Sequence, residues 1–311
     1  MPVVNGDNAR IRTNISAQNA YNSLFIANRD ISLRQLRLST GKRINNASDD
    51  VAGYITSRAL QARNGTLRSS ILAVGDAQNI TNIVQDALSN LNDLVTQIKD
   101  SASTASSGAL GTDEKVALAK AAFRLVQQIQ TVVDSTVFGG QQLLDGTYSE
   151  DFVIGSNSQY QTLNLSLDMS TSNADFNVAS NNFNVNSMTT GIFAGVSNLN
   201  LNDFNSVSAS NLGIFSDSSI ATTIYSLAEA LNNVNKVASQ VGGIAVRLNS
   251  QESLLKEQII NYNAAISRLE DADVAKEQLD LIKSQFLQQA SLTSLAQANQ
   301  NPTGFLQLIR G

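Results

Sequence analysis

Two clusters of charge interrupt segments that otherwise read as helix. The first lies in LRLSTGKRINNASDDVAG, residues 36–53, where Lys42 and Arg43 precede the adjacent carboxylates Asp49 and Asp50. The second is Asp271 and Asp273 in EDADVAKEQ, residues 270–278. Acids and bases so placed can hold a cation, cap helix ends, or join surfaces through charge-assisted hydrogen bonds. For Asp271 and Asp273 a cap is the better reading, because no glycine-containing loop and no further ligands accompany them. In the first cluster Gly41 is expected to end one helix and Ser48 or Asp49 to start the next. Arg43, Asp49 and Asp50 then sit on a bend beside helix ends, placed to make contacts within or between subunits.

Catalysis has little to draw on. The chain has no His and no Cys, so a general base or acid would have to be Asp, Glu, Lys, Tyr or Ser. No phosphate loop and no recognisable catalytic pair of carboxylates is present, and the chain reads as a non-enzyme with no catalytic, cofactor or metal residues. The formal charge of −5 and pI near 4.8 argue against a nucleic-acid partner. No window approaches the ~18 consecutive apolar residues of a membrane span, and MPVVNGDNARIRTN lacks the apolar core of a secretory signal.

The elements that must position these clusters are long. Ala17, Ala20, Leu24, Ala27, Ile31, Arg34 and Leu38 alternate steps of three and four, predicting a heptad helix from about Asn14 to Ser39. A second helix is expected over about 57–102, through Leu60, Leu67, Ile71, Ile80, Leu91 and Ile98. A third is expected to be capped by Thr112 and to stop at Phe138-Gly139-Gly140. Between about Asp151 and Ser216 there is no Lys or Arg, and YQTLNLSLDM alternates as a half-buried strand does, which predicts a small β-rich hairpin and insert. TGIF at 190–193 and LGIF at 212–215 hint at a short repeat. Leu227, Leu231, Val234, Val241, Leu248, Leu255, Tyr262 and Leu269 mark another heptad helix, and a last one, carrying Ile282, Phe286, Ala290 and Leu295, is expected to end at Pro302.

The architecture expected is mainly α: a long antiparallel coiled-coil-like helical rod made from both chain ends, with the β-rich part in the middle. The terminal helices carry thin apolar strips rich in Ala and Gln and are marginal alone. They are expected to bury those strips against other copies, whereas the inner heptad helices form intramolecular core.

The charge clusters also carry a family resemblance. Residues 36–53 resemble the N-terminal signature of bacterial flagellins, RLSSGLRINSAxDDAAG, at Arg37, Leu38, Ser39, Gly41, Arg43, Ile44, Asn45, Ala47, Asp49, Asp50, Ala52 and Gly53. SRLEDADVAKEQ and SQFLQQASLTSLAQANQNPTGFLQLIR resemble the C-terminal signatures of that family, and bring in Gln289, Gln297 and Asn299. Lys42 stands where Leu is common, and Gly139-Gly140 where Asn-Gly is usual. The resemblance covers about 1–165 and 217–311. It implies a subunit of the flagellar filament, exported unfolded through a type III apparatus without signal cleavage and found outside the cell; a hook–filament junction protein is the alternative. By the same resemblance, residues 1–44 and 271–311 are helices of an inner-tube domain, 45–165 and 217–270 are the two parts of a helical core domain, and 166–216 is a variable surface-exposed insert. The implied partners are further copies of the chain, alone or with other flagellins, and the export apparatus, an export chaperone, the filament cap and the hook-junction proteins. The expected subunit interface comprises the α-helical seam from Ala17 to Leu38, the bend residues Arg43, Asn45, Asp49 and Asp50, Asp271 and Asp273, and Ile282, Phe286, Gln289, Ala290, Leu295, Gln297 and Asn299.

Overall fold

A computed structural model of the chain describes residues 13–156, 162–168, 170, 177–178, 181–185 and 191–310. Its order is α1 (Ile15–Thr40), α2 (Val51–Ala105), α3 (Thr112–Ser135), β1 (Val137–Phe138), β2 (Gln141–Gln142), β3 (Ser149–Ser156), β4 (Thr162–Asp168), β5 (Asn177–Val178), β6 (Asn181–Asn182), β7 (Ile192–Phe193), β8 (Val196–Ser197), α4 (Asp203–Ser206), a 3-10 turn (Gly213–Phe215), α5 (Ile220–Glu270) and α6 (Val274–Arg310). The mainly α architecture, with long helices from both chain ends and small sheets between, is the one expected. The chain divides into two compact units, one of residues 1–64 with 260–311 and one of Gly65–Ile259.

In the second unit the heptad pattern becomes a core. Val74, Ala77, Val84, Leu88, Leu91, Val95 and Ile98 of α2 are buried, and so are Leu227, Val234, Val241, Leu248 and Leu255 of α5. Val126, Ile129 and Val133 of α3 join Val84, Leu88, Leu91, Val95, Ile98, Leu227, Val234 and Val241 in one apolar cluster. Amide side chains clasp α2 to α5 beside the seam: Gln78 Nε2 donates to Asn249 Oδ1 at 3.0 Å, and Asn92 Nδ2 to Asn235 Oδ1 at 2.6 Å. Both partners move by fourteen residues between the two clasps, two heptads, so each clasp repeats the same antiparallel register. A polar pair recurring beside an apolar seam penalises any other register.

The boundaries of α3 differ from expectation. Gly111, not Thr112, is the N-cap, because the Glu114 carboxylate reaches back and accepts the Gly111 amide at 2.6 Å. The helix stops at Ser135, before Phe138, and β1 and β2 close on Gly139 and Gly140. Both glycines have positive φ, as a two-residue hairpin loop requires. The strand expected in YQTLNLSLDM is β4, paired antiparallel with β3. Register shifts between Val153 and Gly155, leaving the Ile154 carbonyl out of the ladder; Gln251 Nε2 of α5 donates to it at 2.8 Å.

Several described residues of the segment 166–216 belong to the core of this unit. Leu167, Phe183, Phe193, Leu201, Phe204 and Phe215 all enter the main apolar cluster, where Phe204 and Phe215 meet edge to face at 5.5 Å. The two GIF stretches adopt different structures, a strand and a 3-10 turn, yet each begins at a glycine of positive φ and ends by burying its phenylalanine.

In the first unit, α1 and α6 pack together antiparallel. Pro302 does not end α6, contrary to expectation: the helix continues to Arg310. A proline has no N–H for the carbonyl four residues back, that of Ala298. Asn14 supplies the missing donor, its Nδ2 lying 2.7 Å from the Ala298 oxygen. The other end of the same amide caps α1 by accepting the Ala17 N–H at 3.0 Å.

Candidate functional site

The bend that opened the sequence is a closed set of local bonds. Gly41 ends α1 with φ of 67°, in the left-handed region. The Asp49 carboxylate accepts the amides of Asn45 and Asn46 at 3.0 and 2.9 Å, and these bonds hold it below its ordinary carboxylate range. Asp50, rather than Ser48 or Asp49, caps α2: its Oδ1 accepts the Gly53 amide at 2.9 Å. The cap leaves no room for a side chain at 53. A Cβ there would lie 2.6 Å from Asp50 Oδ2 and 2.7 Å from Ile44 Cδ1.

This bend is tied to the junction of α5 and α6 through Glu270, which is 4% exposed. Its carboxylate accepts Lys42 Nζ at 2.8 Å and Gln61 Nε2 at 2.7 Å, and its carbonyl accepts the Arg43 amide at 2.6 Å. Burial pushes the Glu270 carboxyl up, but hydrogen bonds from Lys42 and Ser57, with the fields of Lys42 and Arg58, more than reverse it and leave the group below its ordinary range. Arg43 Nη2 donates to the Leu269 carbonyl at 2.9 Å. Asn64 and Asn263 add a side-chain amide bond further along. Asp273 caps α6 by accepting the Lys276 amide at 3.1 Å, whereas Asp271 accepts the Ser267 hydroxyl. Among the described residues no group of three or more acids converges as a metal site would need.

The two terminal helices meet along an unusual seam. On α1 the facing positions are those of the heptad reading: Ala27 is buried, and Ala17, Ala20, Leu24, Ile31, Arg34 and Leu38 are half-buried. They meet Glu277, Leu281, Ser284, Gln288, Ser291, Leu295 and Ala298 of α6, a face more polar than apolar. Glu277 receives Arg34 Nη1 at 2.7 Å and Arg37 Nη1 at 3.3 Å, and Gln288 Nε2 donates to Asn28 Oδ1 at 2.6 Å. The bond to Glu277, opposed by burial, holds the Arg34 guanidinium above its ordinary range. The Nε atoms of Arg34 and Arg37 are buried without an acceptor among the described residues. A buried donor left unpaired weakens the contact it lies in.

Most of the largest apolar side chains of this pair point outward. Tyr21, Phe25 and Ile26 of α1 are exposed, Phe25 by 61%. On α6, Leu279, Ile282, Phe286, Leu287 and Leu292 are exposed, Leu279 by 69% and Phe286 by 66%. Gln289, Ala290, Gln297 and Asn299 are exposed as well. Of the residues singled out in the sequence, therefore, those of α1 and Leu295 lie against the partner helix of the same chain, and the remaining α6 residues lie on its open side. The heptad reading passed over Tyr21, Phe25 and Leu279, although their spacing from Ile282 and Phe286 or from each other is helical.

A helix pair with polar interior bonds and an oily exterior defines a structural subunit made to be covered by others. Two family descriptions match this chain: bacterial flagellin N-terminal helical region over residues 11–149, and bacterial flagellin C-terminal helical region over 224–309. It is similar to the flagellin of Bacillus subtilis, at 30% identity over 97% of this chain and 100% of that one. Flagellin FlaB1 of Treponema pallidum is 25% identical over 96% of this chain and 99% of its own length. The fold is also similar to that of a flagellar hook-associated protein of Vibrio parahaemolyticus, with a TM-score of 0.54 and 11% identity over 72% of this chain and all of that one. That last likeness is one of fold alone. The chain belongs to the bacterial flagellin family, the structural subunits of the flagellar filament.

Proposed function

We propose that copies of this chain polymerise through the open faces of α1 and α6, with the α1 seam from Ala17 to Leu38 holding each pair together from within. Tyr21, Phe25, Leu279, Ile282, Phe286, Gln289, Ala290, Gln297 and Asn299 lie between copies. Arg43, Asn45, Asp49, Asp50, Asp271 and Asp273 set the bends from which the two helices depart. Residues 1–44 and 271–311 line the inner tube, 45–165 and 217–270 form the next shell, and the segment 166–216, which lends Phe183, Phe193, Phe204 and Phe215 to the core, presents its outer side to solvent. The role is structural, not enzymatic. The chain leaves the cell unfolded through the type III export apparatus, with an export chaperone before it and the filament cap and hook-junction proteins at its destination, and its signal is not cleaved. Family membership supports this route, and the outward placement of Phe25, Leu279 and Phe286 supports the surface.

That placement carries the reading. Fully burying a side chain of this size is worth about 1.5–3 kcal/mol, and a monomer obtains little of it for these three. The test is seeded growth. Purified chain added to filament fragments is expected to elongate them without limit, whereas Leu279→Ser with Phe286→Ser keeps the helical circular dichroism of the monomer and elongates poorly. Normal elongation by the double variant would place the contact elsewhere.

A further inference from the structure

The unit of residues 65–259 carries a second apolar feature, and it comes in two unlike halves. Leu72 is 72% exposed and projects from the side of α2 opposite Val74 and Ala77, which are buried. One turn on, the exposed Asp76 makes no hydrogen bond or ion pair among the described residues. Between the β3–β4 hairpin and α5 of the same unit lies an open groove of about 330 Å³ walled by Ile154, Leu165, Val246 and Leu254. Arg247 lines it too, exposed and likewise without a partner among the described residues. The bulge at Ile154 and the Gln251 bond to its carbonyl fix the hairpin wall of the groove.

We infer that Leu72 of one copy seats in this groove of the next, with Asp76 paired to Arg247. Three observations select a second copy as the occupant. The protruding side chain and the groove belong to the same chain; the free charge beside each is opposite in sign; and the two patches differ, so copies can follow one another head to tail. Made head to tail without closing, such a contact continues from copy to copy as a filament needs, whereas the same pair made reciprocally would stop at a two-fold dimer. Charge beside the apolar contact orients the approach and rejects wrong partners. The inference rests on the filament reading but adds to it a contact outside the terminal helices.

The full chain lacks cysteine, which makes cross-linking clean. In Leu72→Cys with Leu254→Cys, seeded filaments treated with a mild oxidant are expected to give a ladder of covalent multimers, and dilute monomer none. In parallel, Asp76→Arg or Arg247→Asp alone is expected to raise the critical concentration for growth about tenfold, and the two together to return it to within about twofold of the parent. Filaments without a ladder and without charge rescue would overturn this contact and leave the filament reading intact. A ladder that stops at the dimer would overturn the head-to-tail form. Equal thiol labelling of Leu72→Cys in filament and monomer would assign the groove to some other partner. Parent chain that never elongates seeds would overturn both readings. If the cysteine pair prevents growth, the charge-reversal pair decides.

Discussion

Gly53 and Gly65 both lie in α2, twelve residues apart, and physical chemistry assigns them opposite roles. Glycine inside a helix costs about 1 kcal/mol relative to alanine. At Gly65 nothing lies within 4 Å of a Cβ, so Gly65→Ala is expected to raise the melting temperature. At Gly53 the same change pushes against the Asp50 cap and Ile44, and a cap is worth about 1 kcal/mol or more. Gly53→Ala is therefore expected to lower the melting temperature despite its better helix propensity; differential scanning calorimetry of the two variants decides, and a rise in both would refute the steric account. The sequence shows that Asp50 and Gly53 stand three apart beside a helix start. It does not show which of Ser48, Asp49 and Asp50 is the cap, because all three accept amide bonds well and only the path of the loop chooses among them.

Among the elements, α6 taught most about what a sequence can and cannot say. Its apolar period runs through Ile282, Phe286 and Ala290, and that period marks its oiliest face without saying who covers it. The face that meets α1 is instead the one with Glu277, Ser284, Gln288 and Ser291, where Glu277 matches Arg34 and Arg37 and Gln288 matches Asn28, residues some 240 to 260 positions away. The inner helices α2 and α5 were legible because one apolar stripe answers another within the chain. The length of α6 was not, because the donor that replaces the proline amide sits on Asn14. Asn14→Ala is expected to remove both the α1 cap and the bond to Ala298, at a cost of about 1 kcal/mol or more. Hydrogen exchange should then quicken at both places at once, near Ala17 and just after Ala298. Faster exchange at Ala17 alone would show that the Ala298 bond contributes nothing.

Taken as a whole molecule, the chain contains two kinds of stability. The unit of residues 65–259 owns the large apolar cluster, whereas the unit built from the two termini is joined largely by ion pairs, amide bonds and small side chains and leaves Tyr21, Phe25 and Phe286 exposed. Local opening follows buried apolar contact. In dilute solution, amides of α1 and α6 are accordingly expected to exchange much faster than those of α2 and α5 between residues 65 and 259, and to slow sharply in filaments; equal protection in the free chain would contradict the ranking. The antiparallel pairing of α1 with α6 also sets an order in time. Asn14 and Ala298 are 284 positions apart, and any machine that delivers the chain amino end first, the ribosome included, releases α1 long before its counterpart exists. A product that stops short of Glu277 leaves Arg34 and Arg37 without their carboxylate, so these ion pairs form only once the chain extends past that residue.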